Sequence, residues 1–307
     1  MDQMTNEEVW KRLAQGESVS DLVHSDSAGR LDMRGLRISE PKVVERIGMG
    51  PSTVATIAGV RKLKSLTWTA LNLSESDLRG LRFSGCTLDN CVFDHADCRG
   101  WRAWQSAASH CDFRGADLRG AALGAIQDNQ QNLFSDVDFS RADFRGATFT
   151  AAKFVRCKFS DAKLEKVNFG GSAFVDCTFE GTLTEVIFNR TAFNAPKLPA
   201  NEMTNVDFRR AKFKFVEFRG VSGDSILWPD DPNHLIVANF RTVLDALIRE
   251  FEGESAVSYK ALVAVLRMEK KWSPASQKTG VLSRADVLEL AGGCAWDRVL
   301  ATVAKIK

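Results

Sequence analysis

The side chains that most often carry catalysis or bind metals are scarce in this chain. Its 307 residues include four histidines, His24, His95, His110 and His234, and none stands at a metal-ligand spacing from a cysteine or a carboxylate. The sequence contains no GxxxxGK(S/T), GxSxG or HExxH motif and no GxGxxG after a predicted strand. We therefore expect no catalytic residues, no metal ligands and no cofactor.

The cysteines do not indicate a disulfide framework. There are seven, an odd number, and none forms a CxxC pair. Cys91 and Cys111 are 20 residues apart, as are Cys157 and Cys177. We expect all seven to be reduced thiols, and these four to be small buried core residues.

Charged and aromatic side chains give the main candidates for a partner-binding surface. Asp and Arg recur at intervals of about 20 residues, which would align them in neighbouring columns if the backbone completed one turn in that length. The candidates are the column Asp77, Asp97, Asp117 and Asp138, the column Arg79, Arg99 and Arg119, the pair Trp101 and Trp104, and the basic run Arg209, Arg210, Lys212 and Lys214. Two interpretations compete: the columns form a recognition strip, or they solvate a protein wall, where each exposed ion pair contributes at most about 1 kcal/mol.

A five-residue period explains these intervals. From Leu73 to Phe218, Leu or Phe returns at every fifth residue, with three interruptions, and fills 24 of 26 positions of that series. The residue two places before is usually small, as at Ala116, Ala142 and Cys157. Neither a helix of period 3.6 nor a strand of period 2 keeps such a series facing one core. A coil that turns a corner every five residues does.

The sequence therefore predicts a mainly β solenoid in which four five-residue units close a coil of 20 residues. The following residues are expected in one internal column: Leu73, Phe93, Phe113, Phe134, Phe154, Phe174, Phe193 and Phe213. Two places depart from the rule. Residues 99–112 keep the phase with Ala103 and Ala108 in place of large side chains, so Trp101 and Trp104 either fill the core or project outward. The stretch 127–132 gains a residue and is predicted to bulge as a polar loop.

The units A-D-L-R-G at 116–120, A-D-F-R-G at 142–146 and S-D-A-K-L at 160–164 resemble those of the pentapeptide-repeat family. The resemblance covers about residues 66–221. It implies a right-handed quadrilateral parallel β-helix, here of about 7–8 coils. It also implies binding in place of catalysis, because members of the Qnr and MfpA types bind DNA gyrase through an acidic surface thought to imitate duplex DNA.

The flanks are expected to cap this solenoid, since its end strands would otherwise expose unpaired edges. We predict an N-terminal helical cap at 1–65, with a helix at 5–15, two repeat units at 31–40 that join the first coil, and one or two helices inserted at 41–60. Ser39 is a candidate N-cap and Pro41 suits a first helical turn. The repeats occupy 66–221. A C-terminal all-α domain at 222–307 follows a turn-rich linker, with helices beginning near 236, 255, 283 and 295.

The charge distribution argues against imitation of DNA along the whole solenoid. Residues 66–143 carry 11 acidic and 7 basic side chains, whereas residues 144–221 carry 8 and 13. A phosphate mimic needs an excess of carboxylates throughout. The net charge of the chain, +2, is too near balance to indicate nucleic acid as a partner, and we expect no direct nucleic-acid binding.

The sequence thus favours a non-enzymatic, cytoplasmic scaffold that binds another macromolecule. One hypothesis is a protein that binds DNA gyrase or a related topoisomerase and protects it from an inhibitor. The alternative is a scaffold that holds a different protein through its C-terminal helices, which could also form a homodimer. A third hypothesis, an enzyme in the C-terminal helices that uses His234 and Tyr259, has the least support, because no ligand cluster surrounds these two residues. No run of about 18–20 apolar residues suggests a membrane span, and the polar, acidic N-terminus does not resemble a signal peptide.

Overall fold

Most of the described chain is a stack of short parallel strands arranged on four walls. A computed structural model of the protein describes residues 3–38, 42–47, 54–58, 61–124, 126–127, 130–192, 201 and 203–306. Within each coil the centre of a wall is buried and its two neighbours point outward. The structure is therefore the four-sided β-helix that the resemblance to pentapeptide repeats implies.

One wall is a continuous seven-stranded parallel sheet, which we call the neutral wall because few of its outward residues are charged. Its strands, in order along the stack, are Thr67–Thr69, Thr87–Asp89, Ala107–Ser109, Leu133–Ser135, Lys153–Val155, Ala173–Val175 and Met203–Thr204. The next wall along the chain, the second wall, has strands Leu31–Asp32, Leu71–Asn72, Lys158–Ser160, Thr178–Thr184, Val206–Lys214 and Ile226–Leu227. Single bridges through Val92, Asp112 and Asp138 complete it.

The third wall, which we call the Asp–Arg wall, is formed mainly by isolated parallel bridges. They run from Arg37 through Asp77, Asp97, Asp117 and Asp143 to Lys163. The fourth wall has strands Lys62–Lys64, Arg82–Ser84, Arg102–Trp104, Ala122–Gly124 and Thr148–Phe149, followed by Ile187–Asn189 and Glu217–Arg219. Corners are turned by residues with a left-handed backbone, such as Gly100 at φ 68° and Asn90 at φ 52°, which is why glycine recurs there.

The core is a set of aromatic stacks along the solenoid axis. Phe159 and Phe179 stack with ring centroids 4.6 Å apart and planes 3° apart, and Phe154 stacks on Phe174 at 4.9 Å. Small residues such as Ala142 and Cys157 are buried beside the rings. Large and small inward side chains alternate as predicted, so the narrow interior is filled. All seven cysteines are free, and six of them are buried.

The column predicted for the large residues is wrong beyond Phe113. Ala108 pairs with Phe134, 26 residues later, and Phe113 lies over Phe139 instead of Phe134. The chain inserts six residues, not one, between these coils. A wall holds one unit per coil, so the extra unit leaves the stack as an antiparallel hairpin of Ile126–Gln127 with Gln130–Gln131. A second insertion makes Met203 the partner of Phe174, and Phe193 lies outside the described residues.

The N-terminal flank caps the first coil with a helix, α1, Gln3–Gln15. Val9 and Leu13 are buried in the solenoid core, and Trp68 Nε1 donates to the carbonyl oxygen of Leu13 at 3.3 Å. Leu31–Asp32 pairs with Leu71–Asn72, so this repeat tract belongs to the first coil. The helices predicted at 41–60 are wrong, because Lys42–Ile47 and Val54–Ala58 form an antiparallel hairpin. The proposed cap residues Ser39 and Pro41 lie outside the described residues.

The C-terminal region contains the four predicted helices but is not all-α. The helices are α2, Phe240–Phe251, α3, Val257–Trp272, α4, Arg284–Ala291, and α5, Gly293–Ala304. Strand His234–Ala238 pairs antiparallel with Thr279–Ser283, so Ile236 belongs to a strand and not to α2. The helices enclose a second hydrophobic core around Phe240, Leu247 and Trp296. The domain boundaries at 65/66 and 221/222 stay a prediction.

Candidate functional site

The predicted Asp and Arg columns of the Asp–Arg wall form pairs within the protein. In each pair the Arg two residues after an Asp folds back onto its carboxylate. Arg99 Nη2 lies 2.6 Å from Asp97 Oδ2, and the Arg99 backbone N–H also donates to Asp97 Oδ1 at 3.2 Å. The same arrangement joins Asp77 to Arg79, Asp117 to Arg119 and Asp143 to Arg145.

These pairs also connect successive coils. Arg79 Nε lies 3.5 Å from Asp97 Oδ2, and Arg99 Nε lies 3.6 Å from Asp117 Oδ2. Hydrogen bonds from Arg79 hold the pKa of the Asp77 carboxyl below its usual range. The Asp and Arg of the A-D-L-R-G unit therefore stabilise the coil locally, and the Arg neutralises the charge of the carboxylate. Because these charges are paired, this wall presents little of the continuous negative potential that a DNA mimic needs.

Asp138 does not belong to the column assigned to it from the sequence. It pairs across coils with Asp112 on the second wall, whereas Asp143 continues the column of Asp117. The reason is the six-residue insertion at the hairpin, which displaces the register by one wall and one residue. Asp138 has Ser140 in place of an arginine two residues on, and its Oδ1 accepts the Ser140 backbone N–H at 2.9 Å.

The two tryptophans occupy different environments. Trp101 fills the core where the coil lacks large side chains: its ring lies 4.8 Å from Phe83, and its Nε1 donates to the Leu78 carbonyl oxygen at 2.7 Å. A cavity of about 30 Å³ remains beside it, against Ala103 and Ala108. Trp104 projects outward from the fourth wall and is half-buried. Trp101 is therefore a core residue, and of the two only Trp104 can reach a partner.

The basic run on the last coil is mostly paired as well. Arg209 lies 2.7 Å from Asp207 Oδ2, and Arg210 lies 3.0 Å from Glu180 Oε1. Lys214 contacts Glu289 of α4 at 2.8 Å. Lys212 is exposed on the Asp–Arg wall. These contacts leave a much smaller positive surface than the sequence indicated.

A surface that the sequence analysis missed is the neutral wall. Two of its 13 described outward residues, Asp89 and Lys153, are charged, whereas 12 of the 14 outward residues from Asp77 to Lys214 on the Asp–Arg wall are charged. The remaining outward residues of the neutral wall are Thr67, Thr69, Thr87, Ala107, Ser109, Leu133, Ser135, Val155, Ala173, Val175 and Thr204. Sorting the repeat units by wall, with the correct register across the insertion, would have revealed this contrast.

The neutral wall is flanked by the hairpin that the insertion expels. Gln130 and Gln131 of the hairpin, together with Leu133, Lys153 and Val155, line a concave region of about 570 Å³. Leu133 is 37% exposed although it is a large apolar residue. The wall therefore combines a flat array of small and apolar side chains with amides at one edge.

Side chains of the C-terminal region complete the last coil. The Gln277 amide accepts the Gly220 backbone N–H at 2.7 Å and donates to the Phe218 carbonyl oxygen at 2.8 Å. Asp286 Oδ1 accepts the Phe215 N–H at 2.8 Å, and His234 Nε2 accepts the Phe213 N–H at 3.0 Å. Groups that would face a further coil are thus satisfied by the cap.

His234 and Tyr259, the two residues of the enzyme hypothesis, contact different parts of the fold. His234 accepts from the last coil through Nε2, and its Nδ1 lies 2.9 Å from Asp231. Tyr259 stacks on Phe251 with centroids 5.4 Å apart. Within the described residues, no group of three or more His, Cys, Asp or Glu side chains could hold a metal ion. Among the helices described, none has the length and apolar character needed to cross a membrane.

Comparison with known proteins agrees with this architecture. The family model for pentapeptide repeats matches in eight copies, at residues 72–100, 133–171 and 142–181. None of the curated proteins matches the chain.

Three solved structures illustrate the likeness. Rfr23, a pentapeptide repeat protein from the cyanobacterium Cyanothece 51142, is 12% identical over 39% of this chain and 92% of its own, with a TM-score of 0.35. HetL, a pentapeptide repeat protein involved in heterocyst differentiation regulation in Nostoc sp. PCC 7120, is 17% identical over 54% and 91%, with a TM-score of 0.26. Full-length QnrB1, a plasmid-mediated fluoroquinolone resistance protein, is 16% identical over 50% and 93%, with a TM-score of 0.22. The family model and the four-walled stack together show that residues 72–100 and 133–181 of this chain consist of pentapeptide repeats.

Proposed function

We propose that this protein is a non-catalytic scaffold that binds another protein through its neutral wall. The observation that carries the proposal is the contrast between walls. Eight of the outward residues of the Asp–Arg wall form four Asp–Arg pairs with each other. The neutral wall instead exposes small, hydroxyl and apolar side chains on a rigid sheet.

The physical properties of this wall suit a protein interface. The centres of protein interfaces are depleted in charge, because charges lose hydration when a partner covers them. Seven adjacent strands at about 4.8 Å spacing give a surface about 29 Å long. The aromatic stacks behind the wall hold it in one shape, so little conformational entropy is lost on binding.

Within this class, DNA gyrase is the partner that we propose to test. The support is the resemblance of the repeats to those of the Qnr and MfpA types. The pairing of the carboxylates leads us to place the contact on the neutral wall and not on an acidic, DNA-like surface. A gyrase-binding scaffold would act in the cytoplasm.

A supercoiling assay tests this partner. Purified gyrase is assayed with increasing amounts of the protein, with and without a fluoroquinolone. We expect protection from the drug or inhibition of supercoiling. If excess protein produces neither effect, gyrase is not the partner.

Two single variants test the surface. Leu133→Glu places a charge at the centre of the neutral wall, and Thr182→Glu places one at an exposed outward position of the Asp–Arg wall. We expect the first to abolish the effect on gyrase and the second to retain it, with unchanged far-UV circular dichroism in both. Equal activity of the two variants would remove the neutral wall from the proposal and leave gyrase as a partner.

Deleting residues 222–307 is unsuitable for separating the roles of the two regions. It would remove Gln277, Asp286 and His234, which satisfy backbone groups of the last coil. The resulting open edge invites association between molecules. Point variants avoid this artefact.

A homodimer, or a different partner protein, engaged through the C-terminal helices is a second candidate. It is favoured by a row on α3, in which Val265, Met268 and Trp272 are 40%, 52% and 42% exposed. Their spacing of three and four residues places them on one helix face. Light scattering coupled to gel filtration tests the dimer: we expect Met268→Glu to convert it to a monomer. A wild-type mass equal to one chain at high concentration would exclude the dimer.

A further inference from the structure

A groove lies between the last coil of the β-helix and the C-terminal helices. Its volume is about 390 Å³, within the range of small-molecule sites. Its walls come from residues 215–217 of the solenoid, from α3, from the strand Thr279–Ser283 and from α4. Three separate stretches of the chain, 215–217, 262–269 and 281–290, therefore meet around one concave space.

The lining of the groove is apolar except for a few carboxylates. The apolar side includes Phe215, Leu262, Val265, Met268 and Leu290. Three carboxylates line the same space: that of Glu217 on the solenoid, which pairs with Arg219, and those of Glu269 on α3 and Asp286 on α4. An apolar pocket with few polar groups typically uses those groups to orient one polar end of a ligand.

The carboxylates of Glu269 and Asp286 differ in how they are satisfied. Asp286 Oδ1 accepts the Phe215 backbone N–H. For the half-buried Glu269, by contrast, no residue in the described part of the chain donates a hydrogen bond to the carboxylate or forms an ion pair with it within 4.0 Å. Arg219 on the solenoid interacts with it only through its more distant charge. A carboxylate in this setting loses part of its hydration without gaining a hydrogen-bond partner.

The electrostatic environment reflects this loss. Burial, reinforced by the nearby Glu217 and Asp286 and opposed by Arg219, raises the pKa of Glu269 to about 8. Burial likewise raises the pKa of Asp286 to about 6, with Glu289 adding to the effect and the Phe215 N–H and Lys214 opposing it. The groove therefore favours a positive charge, because a bound cation would stabilise both ionised carboxylates.

We propose that this groove binds a small molecule that carries a primary ammonium group on an apolar body, with the ammonium against Glu269 and Asp286 and the body against α3 and α4. An ammonium ion supplies donors that the Glu269 carboxylate lacks. A neutral ligand would leave the Glu269 carboxylate without a charged partner, and an anion would be repelled. The inference is independent of the neutral wall, which lies elsewhere on the β-helix. The groove shares Val265 and Met268 with the exposed row on α3, so a ligand in the groove and a partner on that row would compete.

Three probes with the same apolar chain test the proposal: hexylammonium, hexanol and hexanoate. Isothermal titration calorimetry and amide chemical-shift perturbation are measured at pH 7.5 with the full-length protein. We expect hexylammonium to bind at least tenfold more tightly than hexanol, with shifts confined to α3, α4, the strand Thr279–Ser283 and residues 215–217, and hexanoate to bind least.

Proton linkage gives a second, independent readout. At pH 7.5 Glu269 with a pKa of about 8 is mostly protonated, and binding of an ammonium requires its ionised form. Binding should therefore release protons, so the measured enthalpy should change with the ionisation enthalpy of the buffer. The affinity should rise about 20-fold between pH 6.5 and pH 8.5, because the ionised fraction of Glu269 rises by that factor while hexylammonium stays charged. An affinity independent of pH and buffer would overturn the proposed ion pair.

Variants complete the test. We expect Glu269→Gln to weaken hexylammonium binding at least tenfold and to abolish proton release, while leaving hexanol binding unchanged. Glu252→Gln, an exposed carboxylate at the end of α2 that lines no part of this groove, is the matched control and should bind as wild type. The proposal is overturned if all three probes bind alike, if none binds, or if Glu269→Gln and Glu252→Gln behave identically. It is also overturned if a lysine-containing apolar peptide binds where hexylammonium does not, since the groove would then be a peptide-docking surface.

Discussion

Trp101 fills the space of the large side chains that its coil lacks, and a double-mutant cycle of Trp101 and Ala103 tests this interpretation. Phe83 stands directly below Ala103 in the fourth wall, and the Trp101 ring lies 4.8 Å from Phe83, in the space that a large residue at position 103 would fill. Truncation by Trp101→Ala should cost about 3–5 kcal/mol of unfolding free energy, as for other buried aromatic residues. It also removes the donor to the Leu78 carbonyl oxygen.

The effect of Ala103→Phe should then change sign with the background. In the wild type the remaining cavity of about 30 Å³ is too small for a phenyl ring, so overpacking should cost about 1–3 kcal/mol. In the Trp101→Ala protein the same change refills the column and should stabilise by about 1–3 kcal/mol. The coupling energy is the difference between these two effects, about 2–6 kcal/mol.

Urea unfolding followed by far-UV circular dichroism measures the four proteins of the cycle. Thr87→Ala, an exposed position on the neutral wall, serves as a surface control expected to change stability by less than about 0.5 kcal/mol. If Ala103→Phe has the same effect in both backgrounds, Trp101 does not occupy the space of the missing side chain and the reasoning is wrong.

Three further predictions concern the corners and the cap. Gly171→Ala should destabilise the protein by at least about 2 kcal/mol more than Gly120→Ala in urea unfolding. A Cβ at 171 would lie 2.5 Å from the Ala192 backbone nitrogen, whereas a Cβ at 120 meets nothing within 4 Å. Equal costs for the two variants, which would reflect only the left-handed φ of both glycines, would contradict this contact. Gln277→Ala should cost about 2–4 kcal/mol because it leaves buried groups of Gly220 and Phe218 without partners, and the exposed neighbour Lys278→Ala, as a control, should be neutral. The Asp286→Asn protein should be as stable as the wild type near pH 4 and more stable by at most about 3 kcal/mol near pH 8. The reason is that the pKa of Asp286 is about 6 in the folded protein and ordinary in the unfolded chain. The folded state of the wild type thus loses stability as pH rises through 6, and parallel pH profiles of thermal unfolding for the two proteins would refute the assignment.

The five-residue period identified the core but not its stacking. Phe144 and Ala142 face inward as their positions in the repeat predict. The stacking partner of Phe134, however, depends on whether the repeat unit before it stays in the wall or leaves it. The five-residue period continues in either case and does not distinguish the two. Where the chain returns to the wall, Asn132 is fully buried and donates to the carbonyl oxygens of Ala103 and Leu123. A buried asparagine inside a polar run gives no sequence signal that separates it from the loop beside it.

The types of charged residue on the surface could be predicted from the sequence, whereas the ion pairs between them were not predicted. An Asp and an Arg two residues apart at a tight corner can pair locally, as Asp97 and Arg99 do, and this local pairing follows from the repeat itself. The groove containing Glu269 and Asp286 could not be predicted, because it depends on how α3 and α4 dock onto the last coil. The β-branched residues Val43, Val44 and Ile47 favour the strands at 42–47 and 54–58, whereas Ser39 and Pro41 are typical of a helix start; here the β propensity prevails.

The two caps restrict how such a protein can change its length. Helix α1 seals one end through Val9 and Leu13, and Gln277 and Asp286 satisfy backbone groups at the other. A new coil added at either terminus would have to break one of these seals. A duplication of 20 residues within the regular stretch from Phe139 to Phe179 would instead preserve both seals, since each added coil meets neighbours identical to those already present. Length in this architecture is therefore adjustable only from the middle, and a change of reach along the neutral wall need not alter the groove at its end.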